Sequence, residues 1–334
     1  MTAIRRRRAL RGALAATAAT IALAATAGTA FASGDPAAAA DRARAAADAV
    51  TGRQAERQAE RQAERQAERQ AGGAQRAGTF AAADAPVETP TFTMNAVHKQ
   101  TKELYLYSSD REGGFRPRYP VEVSFDHSAD VIDVDNDKDG YGDGTWFLGK
   151  NGTLDYHWFT DDHQQHSKQV GKGWDIYTKV LSPGSIGGAA EADLLGVDKT
   201  GVLWSYLAYP DGSLTARTRV GGGWGQYDQV EGQADLSGDG RADIVARDKA
   251  GVLWLYQGTG DYKAPFAGRT KIGSGWNVYD RLLSVGDLDA DGRTDLIARK
   301  PNGDLFRYSG SGSAPAVFQK PVKIGHGFQI YNLL

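Results

Sequence analysis

The chain has 334 residues, 41% of them apolar, with 39 basic and 41 acidic side chains and no cysteine. That length is enough to bury a sizeable core. The missing cysteine excludes disulfide staples and a thiol nucleophile, and the balanced charge speaks against a nucleic-acid binder.

In chain order, Arg5–Arg8 and Arg11 form a basic start, Ala13–Ala27 an apolar run, and Ala30-Phe31-Ala32 a small-x-small site. Together they read as a secretory signal peptide over residues 1–32, so the mature protein is expected to be extracellular. The apolar run is too short and small-sided for a membrane span. Residues 33–90 are rich in Ala and carry the run Arg53-Gln54-Ala55-Glu56 repeated through Ala71. These residue types favour helix, yet the period of four sets Glu against Glu and Arg against Arg at i+4, and no apolar stripe is present. A solvated spacer, disordered or partly helical, is expected.

From residue 91 the sequence repeats. Gly171-Lys-Gly-Trp174 with Tyr177 recurs at Gly221, Gly273 and Gly325, in steps of 50, 52 and 52. A Leu-aromatic-x-aromatic run recurs at Leu104, Leu203, Leu253 and Leu305, with a poorer copy at Leu154. Each unit contains short apolar or alternating runs bounded by Gly, Asp, Asn, Pro or Ser, which predicts strands and no helix. A four-stranded unit of about 50 residues suits a propeller blade better than a solenoid coil. The fold class is therefore all-β, a β-propeller of five four-stranded blades over residues 91–334; a seven-bladed or open arrangement is the alternative. The sequence stops just after the strand that begins a unit, while Met94–Tyr107 aligns with Asp243–Tyr256. N- and C-terminal strands are expected to complete one sheet and leave no blade edge unprotected.

Three acidic loops keep the same register. They are Asp135, Asp137, Asp139, Asp143; Asp235, Ser237, Asp239, Asp243; and Asp287, Asp289, Asp291, Asp295, with Gly140, Gly240 and Gly292 at the sixth position. A decayed copy at Ser185, Gly187, Ala189 and Ala190 retains only Asp193. Carboxylates at positions 1, 3, 5 and 9 can aim oxygens at one centre, with the position-7 carbonyls of Tyr141, Arg241 and Arg293 as further ligands. Such packed like charges repel unless a cation neutralises them, and hard oxygen donors in this number suit calcium. An Asp/Gly turn without an ion is the alternative for any single loop. Three copies in register favour the metal.

These loops and repeats resemble the FG-GAP/VCBS repeat family of secreted and cell-surface proteins, and the unit count is similar to tachylectin-type five-bladed lectins. The family resemblance implies calcium between the strands of a blade at the Asp residues above, with Ser237 a weaker ligand. Neither a Phe-Gly dipeptide nor a Gly-Ala-Pro tripeptide is present.

Trp174, Trp224, Trp276 and Phe328, one per unit, could stack on sugars or pack blade against blade. Recurrence beside paired glycines favours packing. No Gly-x-Ser-x-Gly elbow or His-Glu-x-x-His zinc motif occurs. The side chains that break the repeat are Asp155, His157, Asp161, Asp162, His163 and His166, the candidates for a hydrolase reading. The reading adopted is a secreted, monomeric, calcium-stabilised binding or adhesion module without catalytic residues, its partner an extracellular glycan or polymer. A hydrolase and a structural scaffold are the alternatives.

Overall fold

The structure is a computed structural model that describes residues 88–159 and 164–334. The signal peptide, almost all of the spacer, Asp161, Asp162 and His163 lie outside the described residues. No described helix is long and apolar enough to cross a membrane.

Strands form where apolar residues alternate. Leu203–Tyr206 and Leu253–Tyr256 each alternate buried with half-buried positions, the period of two that a strand imposes. The strands fall into five antiparallel sheets of four. Blade 1 comprises Ser128–Val134, Gly144–Gly149, Leu154–Phe159 and Gln165–Gly171. Blade 2 comprises Tyr177–Gly184, Asp193–Asp198, Leu203–Tyr206 and Thr218–Gly221. Blade 3 comprises Tyr227–Glu231, Ile244–Asp248, Leu253–Tyr256 and Thr270–Gly273. Blade 4 comprises Arg281–Leu283, Leu296–Arg299, Leu305–Tyr308 and Val322–Gly325.

The closing blade joins the two ends of the domain. Its order is Tyr331–Leu333, Met94–His98, Glu103–Tyr107 and Tyr119–Ser124, with Ala96 opposite Leu333 and His98 opposite Tyr331. The five-bladed fold and the strand closure expected from the repeats are both present. Five apolar clusters lie at the five junctions, the last of which sets Val97, Leu104 and Val121 of the closing blade against Val131 and Phe147 of blade 1. The ring is closed.

The Gly-x-Gly-aromatic signature makes a turn at four of the five junctions. The second glycine, Gly173, Gly223, Gly275 or Gly327, takes a φ of 77 to 88° and opens one turn of 3₁₀ helix that begins with the aromatic residue. An L-residue resists that backbone conformation, which explains glycine there. In three of the four copies the first glycine leaves room for the ring: a Cβ at Gly171 would stand 2.2 Å from Trp174 Nε1, one at Gly273 2.4 Å from Trp276 Nε1 and one at Gly325 2.5 Å from Phe328 Cε2.

An arginine clamp links blade 3 to blade 4 and blade 4 to the closing blade. Arg247 pairs with Asp228 through Nε and Nη2 at 2.8 Å, and its Nη1 donates to the carbonyls of Trp276 at 3.0 Å and Tyr279 at 2.5 Å. Arg299 repeats this with Asp280 and the carbonyls of Phe328 and Tyr331. The Asp228 side chain is 40% exposed and that of Arg247 only 6%. The buried carbonyls therefore outweigh the screened ion pair. Arg247→Met should cost about 2–4 kcal/mol in chemical denaturation and Asp228→Asn under about 1 kcal/mol. Equal losses would mean that the ion pair dominates.

Candidate metal loops and axial channel

Each acidic loop connects the first and second strands of its blade. In the first loop the Asp135 carboxylate accepts hydrogen bonds from the backbone N–H of Lys138 at 2.7 Å and Gly140 at 2.9 Å. In the third blade Asp235 accepts from Gly238 at 2.7 Å and Gly240 at 2.6 Å, and in the fourth Asp287 accepts from Asp291 at 3.2 Å and Gly292 at 2.8 Å. The first acid thus folds the loop around itself. Carboxylate oxygens then converge: one from each of Asp135, Asp137 and Asp143, of Asp235, Asp239 and Asp243, and of Asp287, Asp289 and Asp291 lie within 4.8 Å of one another. All-oxygen triads of this kind fit a hard divalent cation, so several clusters in the chain could hold a metal ion. In the first loop, burial, reinforced by the neighbouring acids, pushes Asp135 up to about 8 and Asp143 up to about 7. Burial likewise raises Asp243 and Asp287, and takes Asp295 to about 7.

The ninth-position acid has a second task. Asp243 accepts Leu236 N–H at 3.1 Å and Gly258 N–H at 2.7 Å; Asp295 accepts Leu288 at 3.1 Å and Gly310 at 2.9 Å. Asp193 of the decayed copy makes the same pair, to Ile186 at 2.9 Å and Ala208 at 3.0 Å. It latches the loop to the end of the blade's third strand. This accounts for the survival of Asp193 where the other acids have gone, and Asp193 is absent from the convergent clusters among the described residues.

With this geometry established, residues 235–298 match the model of the FG-GAP-like repeat and residues 281–317 that of the FG-GAP repeat, a span that contains two of the three acidic loops. Residues 235–317 thus carry sequence of the FG-GAP repeat type. No curated protein matches the chain. Among solved structures, AofleA from Arthrobotrys oligospora is 12% identical over 73% of this chain and 75% of its own, with a TM-score of 0.40. The BP39L lectin from Burkholderia pseudomallei is 13% identical over 69% and 68%, with a TM-score of 0.43, and human WBSCR16 is 13% identical over 66% and 62%, with a TM-score of 0.30.

The recurrent rings of the propeller are buried. Trp174, Trp224, Trp276 and Phe328 are 6 to 8% exposed. Trp174 lies 4.8 Å from Tyr206, Trp224 4.7 Å from Tyr256 and Trp276 4.6 Å from Tyr308, centroid to centroid. A tyrosine ring thus lies against each tryptophan. Of the residues that break the repeat, His157 is buried against Phe147, whereas exposed His166 stacks on Trp158 at 5.2 Å.

Where the blades converge, a cavity of about 310 Å³ is lined by their first strands. Asp130, Lys179, Gln229 and Arg281 occupy one register position in blades 1 to 4, opposite Leu148, Val197, Arg247 and Arg299. Nearly equivalent backbones thus present an acid, an ammonium, an amide and a guanidinium to one space. Arg281 donates to Glu231 at 2.6 Å and to Gln229 at 3.2 Å. Burial pushes Asp130 up to about 6 and Glu231 up to about 7, and it lowers Lys179. Motif reading missed this site, because strand residues that differ between units look like noise until the register is known.

Proposed function

We propose that the protein is a secreted, calcium-stabilised propeller that binds an extracellular glycan or related polymer without transforming it. The observation that carries the binding reading is the axial cavity, in which four equivalent positions differ in charge and hydrogen-bonding type. A packing role would be met by similar residues. Donors and acceptors of both signs around a space near the lower limit of ligand pockets suit one hydroxyl-rich unit at a time. Calcium at the acidic loops would hold the strand connections that surround the channel, with Asp135, Asp137, Asp139, Asp143, Asp235, Ser237, Asp239, Asp243, Asp287, Asp289, Asp291 and Asp295 as side-chain ligands. Tyr141, Arg241 and Arg293 would contribute carbonyls. The basic, apolar and small-x-small order of the first 32 residues supports export, where millimolar calcium meets sites of this class.

A glycan array probed with full-length protein, in calcium and in chelator, tests the reading. Binding without turnover is expected, with Lys179→Ala weakening it by about tenfold or more, the scale of a lost charge-assisted hydrogen bond. Silence across a broad array, or release of a cleaved product, would overturn it.

A further inference from the structure

We propose that the loop Asp287–Asp295 carries its own cation, the Arg307 guanidinium, in the place of a metal ion, so that calcium is held by the other two acidic loops alone. The inference rests on the calcium reading above and narrows it from three loops to two, withdrawing Asp287, Asp289, Asp291, Asp295 and the Arg293 carbonyl from the ligands.

Arg307 occupies a third-strand position that meets the acidic loop in blades 1 and 4. By register its counterparts are Tyr156, Ser205 and Leu255, opposite Lys168, Thr218 and Thr270 as Arg307 is opposite Val322. In blade 1 the orientation is explicit, since the Tyr156 hydroxyl accepts a hydrogen bond from Asn136 of the loop at 2.9 Å. None of the three counterparts carries a positive charge. Arg307 sets Nη2 3.0 Å from Asp289 Oδ2 and Nε 4.0 Å from Asp295 Oδ2, between the third- and ninth-position acids. A guanidinium offers donors only, so it can ligate nothing, and its charge opposes a dication at the same carboxylates.

Two further observations fit a seated arginine. A Cβ at Gly113 would stand 1.5 Å from Arg307 Nη1, so the closing blade leaves a slot that only glycine permits. In blades 1 and 3 the ninth-position acid converges with the other loop acids, whereas in blade 4 the convergent set is Asp287, Asp289 and Asp291, without Asp295. The substitute is incomplete. Arg307 Nε and Nη1 and Asp289 Oδ1 are buried without hydrogen-bond partners, which leaves oxygen donor capacity in the loop once the arginine is removed.

Calcium per chain, counted by equilibrium dialysis and elemental analysis on the full chain, tests this. Two ions are expected for the unaltered protein and three for Arg307→Leu, the residue found at the equivalent position of blade 3. The third ion should disappear again when Asp287→Asn is added, and Asp287→Asn alone should leave the count at two. The reciprocal change, Leu255→Arg, should reduce the count to one. Arg307→Gln, close in size and polar, gives the same gain if the leucine variant fails to fold. Three ions in the unaltered protein, or two in a folded arginine variant, would overturn the proposal while the calcium reading stands. No calcium in any chain would overturn both.

Discussion

A chain that ends at Ile330 will not fold. Removing residues 331–334 takes away the first strand of the closing blade and uncovers Met94 and Ala96, both fully buried. It removes two nearly buried side chains, Tyr331 and Leu333, at about 1.5–3 kcal/mol each. The carbonyls of Tyr331 and Leu333 that Arg299 and Arg281 hold at 2.7 and 3.1 Å also go, which leaves Arg299 Nη1 with the Phe328 carbonyl alone and Arg281 Nε without its acceptor. The sum approaches the net stability of about 5–15 kcal/mol typical of a folded domain. The exposed edge of Met94–His98 would then invite association between chains. Circular dichroism and size exclusion should report an unfolded or aggregated product; a monodisperse chain with an unchanged melting temperature would contradict ring closure by this strand.

Calcium will raise the melting temperature, and by more at pH 8 than at pH 5. The unfolded value for Asp lies near 4, while folding holds Asp135 at about 8 and Asp143, Asp193 and Asp295 at about 7. Between these limits these four carboxylates bind more protons in the folded than in the unfolded chain, so without calcium their contribution to stability is greatest below about pH 4 and is lost as pH rises towards 8. Calcium binds the deprotonated carboxylates and reverses that loss at the metal loops. Asp193, which only latches its loop, and Asp295, whose loop the Arg307 guanidinium occupies, should gain nothing. At ten to a hundred times the dissociation constant, each site contributes about 1.4–2.7 kcal/mol. Two sites then shift the midpoint by roughly 5–15 °C for a domain of this size. Scanning calorimetry at both pH values, with calcium and with chelator, checks the sign: an effect larger at pH 5 would refute the assignment.

The fold was legible because its punctuation is repeated. The acidic loops at Asp135, Asp235 and Asp287 set the unit length, and the Gly-x-Gly-aromatic turns confirmed its phase through residues whose backbone angles and ring clearance admit little else. The latch role of the ninth acid was also within reach, since Asp193 alone persists in the decayed loop. The clamp was half visible: Asp228 and Asp280 stand at equivalent positions, and Arg247 and Arg299 follow each at the same interval. What remained hidden depends on register. Asp130, Lys179, Gln229 and Arg281 meet across the axis only because a bulge follows the first residue of several inner strands. Arg307 is an ordinary arginine in an ordinary strand until its neighbours in three dimensions include Asp289 and Asp295. Repetition reveals scaffold, and the departures from it that carry specific chemistry lie where a repeat search does not look.

The proposal to test first is calcium at the acidic loops of blades 1 and 3. Isothermal titration of the metal-free chain with calcium, beside the Asp135→Asn/Asp235→Asn double variant, tests it most directly. The unaltered protein should give saturable binding with a dissociation constant of about 10⁻⁴–10⁻³ M, the range of extracellular calcium modules, and the folded double variant should give none. No heat and no saturation in the unaltered protein, or identical isotherms for the two chains, would contradict it.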